Sequence, residues 1–460
     1  MTTRCAHLIG FIAWFAAALT HLAAHAGGPS ASDGYMVIVS EKTLADPGWA
    51  RVVMVLCKKY RDRPAITVTW RQSPDEVIDQ LAQHRPRHAC FVARPEETTG
   101  EFVVNVHELC RRIDSDPYGD VLWGILTGFD AANALAIAAT EKPLVVRRVT
   151  AGTELAMDRV VEGEWYSELE KNRVVRKQDG GEARERKGPD DTTAALAARL
   201  NDAVTDLFVT SGHATERDWQ IGFRYRNGQF RSGGGKLWGV DTFDVKIPIE
   251  SPNPKVWLPV GNCLAGHVDG PDALALAFMN SAGVRQMAGY TVPTWFGYAG
   301  WGLLDYFVEQ PGRFTLCEAF HANNHALVHR LETNAAPSDA RGLRFDRDVV
   351  AFYGDPAWES RMAPGKLSFG QELTERDGTF TLVLKPLDGD ASFAPVNTNG
   401  SQRGGRPVVQ YLRGRIGAAH IVEGAEWKPV ITDDFVLVPL PPAGHAEPVR
   451  IMFRAQPAGG

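Results

Sequence analysis

The chain has 460 residues, of which 44% are apolar and 23% charged, with a formal net charge of -6 at neutral pH. That length and apolar content support more than one packed domain and argue against a disordered polymer, and the mild acidity argues against the basic footprint of a nucleic-acid binder.

At the N-terminus, Arg4 precedes an apolar run from Leu8 to Ala24, closed by Ala24, His25 and Ala26 before Gly27 and Gly28. A basic residue, an apolar stretch and an A-x-A site make a secretory signal, so residues 1–26 are expected to be removed and the protein to be exported, secreted or periplasmic. No other segment reaches membrane-spanning length, and no span is expected after signal removal. Cys5 leaves with the signal. Cys57, Cys90, Cys110, Cys263 and Cys317 remain, an odd number, so at least one thiol stays free; a single disulfide among the first three is compatible with the sequence.

From Tyr35 onward, apolar runs at 36–40, 66–70 and 88–93 read as strands. Between them, helical spacing covers 47–60, and Ser73 with Glu76 forms a capping box that opens a helix to about residue 83. This βαβαβ order predicts parallel strands with right-handed crossovers. Helices are expected at 131–140, 192–204 and 273–282. Residues 171–190 mix Arg, Lys, Gly and acids with almost no apolar residue after Val175, which predicts a solvated loop open to nicking. Gly233, Gly234 and Gly235 have no Walker or dinucleotide spacing around them and read as a loop. After Pro356, short strands at 380–384, 408–412, 435–438 and 449–453, separated by Gly, Pro and Asp, predict a small β-sandwich.

Two strand exits carry chemistry. The run beginning at Asp206 stops on Ser211 and Gly212 and presents His213; the run beginning at Val256 stops on Gly261 and Asn262 and presents Cys263. Open α/β sheets place their chemistry at such tips. A free thiol is mostly protonated at neutral pH, so a Cys nucleophile needs a base beside it, and an imidazole from a neighbouring strand supplies one.

These residues occur in a wider order. Glu216 and Trp219 follow the His, the Asp116 to Asp120 segment leads into an apolar run, and Gly354, Asp355 and Pro356 come after residue 350. Together they resemble the caspase-like (clan CD) cysteine peptidases, and within that group the gingipain family, over roughly residues 35–360. The resemblance implies an α/β fold: a caspase-like open, mostly parallel sheet with helices on both faces, followed by a small C-terminal immunoglobulin-like β-sandwich. Its subdomains would be 35–128, then 129–362 carrying the His/Cys pair, then the sandwich at 366–460.

The activity so implied is a cysteine endopeptidase acting on a peptide or protein substrate through Cys263, His213 and a thioester, with no cofactor and no metal. The oxyanion donors would be the N–H of Cys263 and one within Gly212 to Ala214. Trp295 stands where the family has a pocket wall, and Glu216 would join it in lining the substrate pocket. Ala214 and Asn262 depart from the family, which usually has Gly after the His and a small residue before the Cys. The sheet also starts close behind the signal, leaving no room for the family's long inhibitory propeptide.

The orienter of His213 is open: Glu216 and Asp218 lie too close in sequence, and Asp120 is the remaining option beside a plain dyad. His267 either lines the cleft or is a loop histidine. Two other functions fit the residues. One is a catalytically silent member of the same fold that binds peptide or surface material. The other is a zinc-dependent hydrolase built on Cys317, His321, His325 and His329, which recur every fourth position along one helix. That stripe drifts by about 40° per step, so all four cannot meet one ion, and the alternative for it is an amphipathic helix surface.

Overall fold

A computed structural model describes residues 34–458, apart from 63–64, 203–204 and 334–335. The expected signal, 1–26, lies outside the described residues.

The first half follows the expected alternation. Its strands are β1 (Tyr35–Ser40), β2 (Ala65–Trp70), β3 (His88–Val92) and β4 (Leu122–Leu126). The Pro47–Lys59 helix starts where Asp46 accepts from the N–H groups of Gly48 and Trp49, with Pro47 at its first turn and Lys58 and Lys59 in its last. Ser73 and Glu76 form the capping box, ahead of a 3₁₀ turn at Pro74–Val77 and the Ile78–His84 helix.

The second half adds β5 (Arg148–Ala151), β6 (Glu162–Tyr166), β7 (Arg173–Lys177), β8 (Arg184–Lys187), β9 (Leu207–Thr210), β10 (Lys255–Pro259), β11 (Val284–Tyr290) and β12 (Val350–Tyr353). All twelve strands belong to one sheet, ordered β2-β1-β3-β4-β12-β11-β10-β9-β5-β6-β7-β8. Neighbours are parallel except at β11/β12, β6/β7 and β7/β8. β1, β4, β9, β10 and β12 are buried at every position, which requires cover on both faces, as a parallel sheet wound by helices provides. The fold is the expected mostly parallel α/β sheet followed by a sandwich.

Two expectations are corrected and one open choice is decided. The 171–190 segment is not a loop: β7 and β8 form an antiparallel hairpin at the sheet edge. Arg173 pairs with Glu185 at 3.0 Å and stacks over Trp165, while Arg176 reaches Glu164. Cross-strand charge pairs thus hold an edge whose outer strand is fully exposed, although it has no apolar face to announce it. All five cysteines are free thiols, which agrees with at least one thiol staying free and closes the option of a disulfide among Cys57, Cys90 and Cys110. Finally, the Cys317 stripe lies on the Leu316–Thr333 helix but faces the core, not solvent, with Cys317, His321 and His325 buried. Gly234 and Gly235, with φ of 54° and 70°, make the two-residue turn between the Gln229–Gly233 and Lys236–Val240 strands.

Asp355 locks the two halves together. Its carboxylate accepts from Tyr35 Oη at 2.9 Å, Tyr60 Oη at 2.6 Å and Lys59 Nζ at 2.8 Å, all from the first half.

Beyond residue 366, a four-stranded sheet (Phe369–Arg376, Thr379–Pro386, Val449–Arg454, His420–Glu423) faces a three-stranded one (Val408–Tyr411, Phe435–Val438, Val430–Ile431). Leu382, Leu384, Ile451 and Phe453 meet Val408, Val436 and Val438 between the sheets. The alternate residues Val409, Tyr411, Phe435 and Leu437 point the other way, into the core under the large sheet. The three-stranded sheet is therefore buried on both faces and welds the sandwich to the α/β unit.

Candidate active site

The tips of four consecutive parallel strands, β10-β9-β5-β6, line one edge of the second half. β9 ends into Ser211, Gly212 and His213, and β10 into Gly261, Asn262 and Cys263. The register sets Thr210 beside Pro259, so the two tips leave the sheet together.

Asn262 fastens them. Its fully buried side chain accepts from Thr210 Oγ1 at 2.7 Å and donates to the carbonyl of Gly212 at 3.0 Å. A small residue here could not span that gap, which gives the departure noted in the sequence a structural purpose. Thr210 is held in turn by the indole N–H of Trp257 at 3.1 Å.

Gly212 takes φ +91°, the left-handed value that favours glycine, and turns the chain so that His213 is exposed. Ala214 is not at positive φ. It bridges Trp219, with the bonds running from Thr215 to Asp218 and from Gln220 to His213. Trp219 Nε1 also donates to the Ser211 carbonyl at 2.8 Å, so the segment from Ser211 to Trp219 closes on itself. The imidazole lies against Phe223, ring centroids 4.7 Å apart.

Cys263 is half-buried, and its sulfur is turned toward Thr294: it accepts from the Thr294 N–H at 3.3 Å and lies 3.7 Å from the Thr294 carbonyl. Among the described residues no hydrogen bond links Cys263 to His213. Leu264, next in the chain, has φ +56°, a strained value for a branched side chain that recurs at functional turns. The N–H of Cys263 makes no backbone bond among the described residues, whereas that of Leu264 is taken by Val292.

Several expected residues have other surroundings. Trp295 directly follows Thr294, is 55% exposed, and touches Phe296, Phe345 and Arg341. The Glu216 carboxylate is engaged by Arg217 at 2.6 Å, and Arg217 also reaches Asp269. His267 sits with Thr291 against Gly100 at the start of the Gly100–Cys110 helix. Asp120 belongs elsewhere: β4 stands four places from β9 in the sheet, roughly 19 Å at the usual ~4.8 Å strand spacing. It lies with Asp114 and Asp433, beside Arg415, and burial raises its carboxyl to about 9.

The helical stripe has no common focus. His321 Nε2 meets the backbone of Trp123, His325 stacks on Phe435 at 4.2 Å, and His329 faces Tyr118 Oη.

The acid near the histidine turn is one that sequence reading missed. Glu168 is buried just beyond β6, and its Oε1 accepts from Thr153 Oγ1 at 2.6 Å and Ser211 Oγ at 3.3 Å. Its only local signal was a polar residue closing the Glu164 to Tyr166 run.

The molecule is thus an α/β protein with a strand-tip histidine and cysteine on adjacent parallel strands and a β-sandwich welded behind them. The chain matches no protein-family model, and no curated protein matches it. Two solved structures are similar to it. The crystal structure of the Arg-specific cysteine proteinase gingipain R shares 11% identity, with a TM-score of 0.49, over 90% of this chain and 93% of that one. The complex of Porphyromonas gingivalis RgpB pro- and mature domains shares 11%, with a TM-score of 0.47, over 89% and 94%. Among the described residues no helix is long and apolar enough to cross a membrane.

Proposed function

We propose that this protein is an exported cysteine endopeptidase in which Cys263 is the nucleophile and His213 the general base. One observation carries the reading: Asn262 ties Thr210 to Gly212, so the strand tips bearing the thiol and the imidazole are fastened side by side. Rotation about the Cys263 Cα–Cβ bond moves the sulfur off Thr294 toward the substrate.

In the reaction, His213 takes the thiol proton and the sulfur bonds to the scissile carbonyl carbon, whose π electrons move onto oxygen. That oxygen accepts from the N–H of Cys263 and one from the 212–214 turn; each such donor contributes roughly 3 kcal/mol to transition-state stabilisation. Collapse breaks the C–N bond as His213 protonates the leaving amine. A water deprotonated by His213 then cleaves the thioester and frees the thiol. The steps as written need neither metal nor cofactor. Phe223 and Trp295, 45% and 55% exposed, flank the pair and offer aromatic faces to the substrate. The N-terminal signal pattern supports export.

A second reading, a silent peptide binder, draws on the sulfur bonded to Thr294 and the imidazole lying on Phe223. Two measurements on the full chain separate them. A peptide library should be cleaved by the wild type and by neither Cys263→Ala nor His213→Ala. Iodoacetamide should modify Cys263 before the other four cysteines, more slowly in His213→Ala. Cleavage that survives Cys263→Ala sinks the peptidase reading, and peptide binding without cleavage establishes the silent one.

A further inference from the structure

We infer that residues 397–406 of the C-terminal unit are a working part of the active site, with Asn399 as a positioning residue for the histidine turn; the inference rests on the reading of His213 and Cys263 as the reacting pair.

This segment leaves the sandwich after the Gly389–Ala391 turn and crosses the second-half strand tips before returning as the Val408–Tyr411 strand. Asn399 Nδ2 donates to Thr153 Oγ1 at 3.2 Å and to Glu168 Oε1 at 3.3 Å. The same carboxylate oxygen accepts from Ser211, two residues before His213. One buried oxygen thus gathers the β5 tip, the β9 tip and the strap. The next residue, Gly400 at φ +100°, lies on the indole of Trp301, where a Cβ would stand 2.4 Å from the ring. That indole also closes on Gly261, two residues before Cys263, where a Cβ would stand 2.9 Å from Nε1. The strap therefore reaches the histidine turn through Asn399 and Glu168, and the cysteine turn through Gly400 and Trp301.

Its shape is held by buried charges. Arg403 reaches Asp305 at 2.7 Å, pairs with Glu309, and donates to the Asn399 carbonyl at 2.9 Å. Arg406 lies 3.4 Å from the centroid of the Tyr298 ring and 3.2 Å from Asp305. Charges removed from water cost free energy that hydrophobic packing would not, so a buried ion cluster is weak evidence for stability. What this one fixes is the path of the strap, and hence the placement of Asn399. The sandwich is thereby coupled to chemistry carried out by the other unit.

The test is a double-mutant cycle in the full-length protein. Asn399→Ala and Glu168→Ala are each expected to lower kcat about tenfold with KM within about twofold, since the loss is one of alignment. The double variant is expected to be no worse than the worse single, because both act on one contact. Gly400→Ala, which forces the strap off Trp301, should slow both turnover and iodoacetamide modification of Cys263. Wild-type kcat and wild-type Cys263 alkylation in Asn399→Ala, at whatever melting temperature, overturn the inference, as do losses in the two single variants that multiply. If the wild type cleaves no peptide, the peptidase reading fails by itself, and the alkylation rate of Cys263 in Asn399→Ala still decides whether the strap positions this site.

Discussion

The side-chain amide of Asn262 donates to the backbone carbonyl of Gly212 at 3.0 Å, joining the residue before Cys263 to the residue before His213. The two turns that present the imidazole and the thiol are therefore one hydrogen-bonded unit. Asn262→Ala leaves the Gly212 carbonyl without this donor and should destabilise the fold by about 1–3 kcal/mol. Peptide cleavage should fall by a larger factor than the stability loss explains at temperatures where the variant remains folded. Denaturant melts and initial rates on the same preparations check both.

Ala214 has no left-handed φ to relieve, since the turn places that conformation on Gly212. Ala214→Gly is therefore expected to leave kcat unchanged and to lower stability by up to about 1 kcal/mol through the freer unfolded chain. Gly212→Ala is the contrasting variant: a Cβ at φ +91° costs on the order of 1–3 kcal/mol and should displace His213. Kinetics and thermal melts of the two variants should differ accordingly; a kcat gain in Ala214→Gly would contradict this account of the turn.

Asp355 is buried and bonds Lys59, Tyr35 and Tyr60 together. Removing the carboxylate in Asp355→Ala strands the buried Lys59 ammonium, a loss of about 3–5 kcal/mol. Asp355→Asn keeps an acceptor oxygen and should cost less. Chemical denaturation of the pair measures the difference.

The buried histidines make stability depend on pH. Burial lowers His107 from 6.5 to about 4 and His321 from 6.5 to about 3, and pushes His325 down as well. Each is neutral in the fold and protonates on unfolding, so the stability it contributes is complete above pH 6.5 and is lost as pH falls from there toward the folded-state value. The three histidines therefore take stability away between pH 6.5 and pH 4, and His321→Gln should lose less over that range than the wild type does. Urea midpoints measured across that range test this.

Much of the fold was legible because its signals are local. Apolar-rich runs and the Ser73 capping box identified β1 to β3 and the helices between them, and the short runs after residue 366 identified sandwich strands. The proposed pair was picked out at the same range: an apolar run that ends on a small residue before His213, and another before Cys263, can be read without knowing what lies beside them. The β7/β8 hairpin escaped because its strands are held by charge pairs, and charged residues without apolar alternation look the same in a loop.

What the tertiary structure alone decided is which distant groups close on those tips. Glu168 reaches Ser211 across 43 positions, Asn262 reaches Gly212 across 50, and Asn399 reaches Glu168 across 231. The sulfur of Cys263 faces Thr294 rather than His213 for the same kind of reason. Hydrophobic burial places strands according to patterns written in consecutive residues, whereas a hydrogen bond between remote loops depends on where packing leaves each backbone. The sequence by itself determined the strands and the histidine and cysteine at their ends; the packed sheet and the strap from the sandwich decided how those side chains are held.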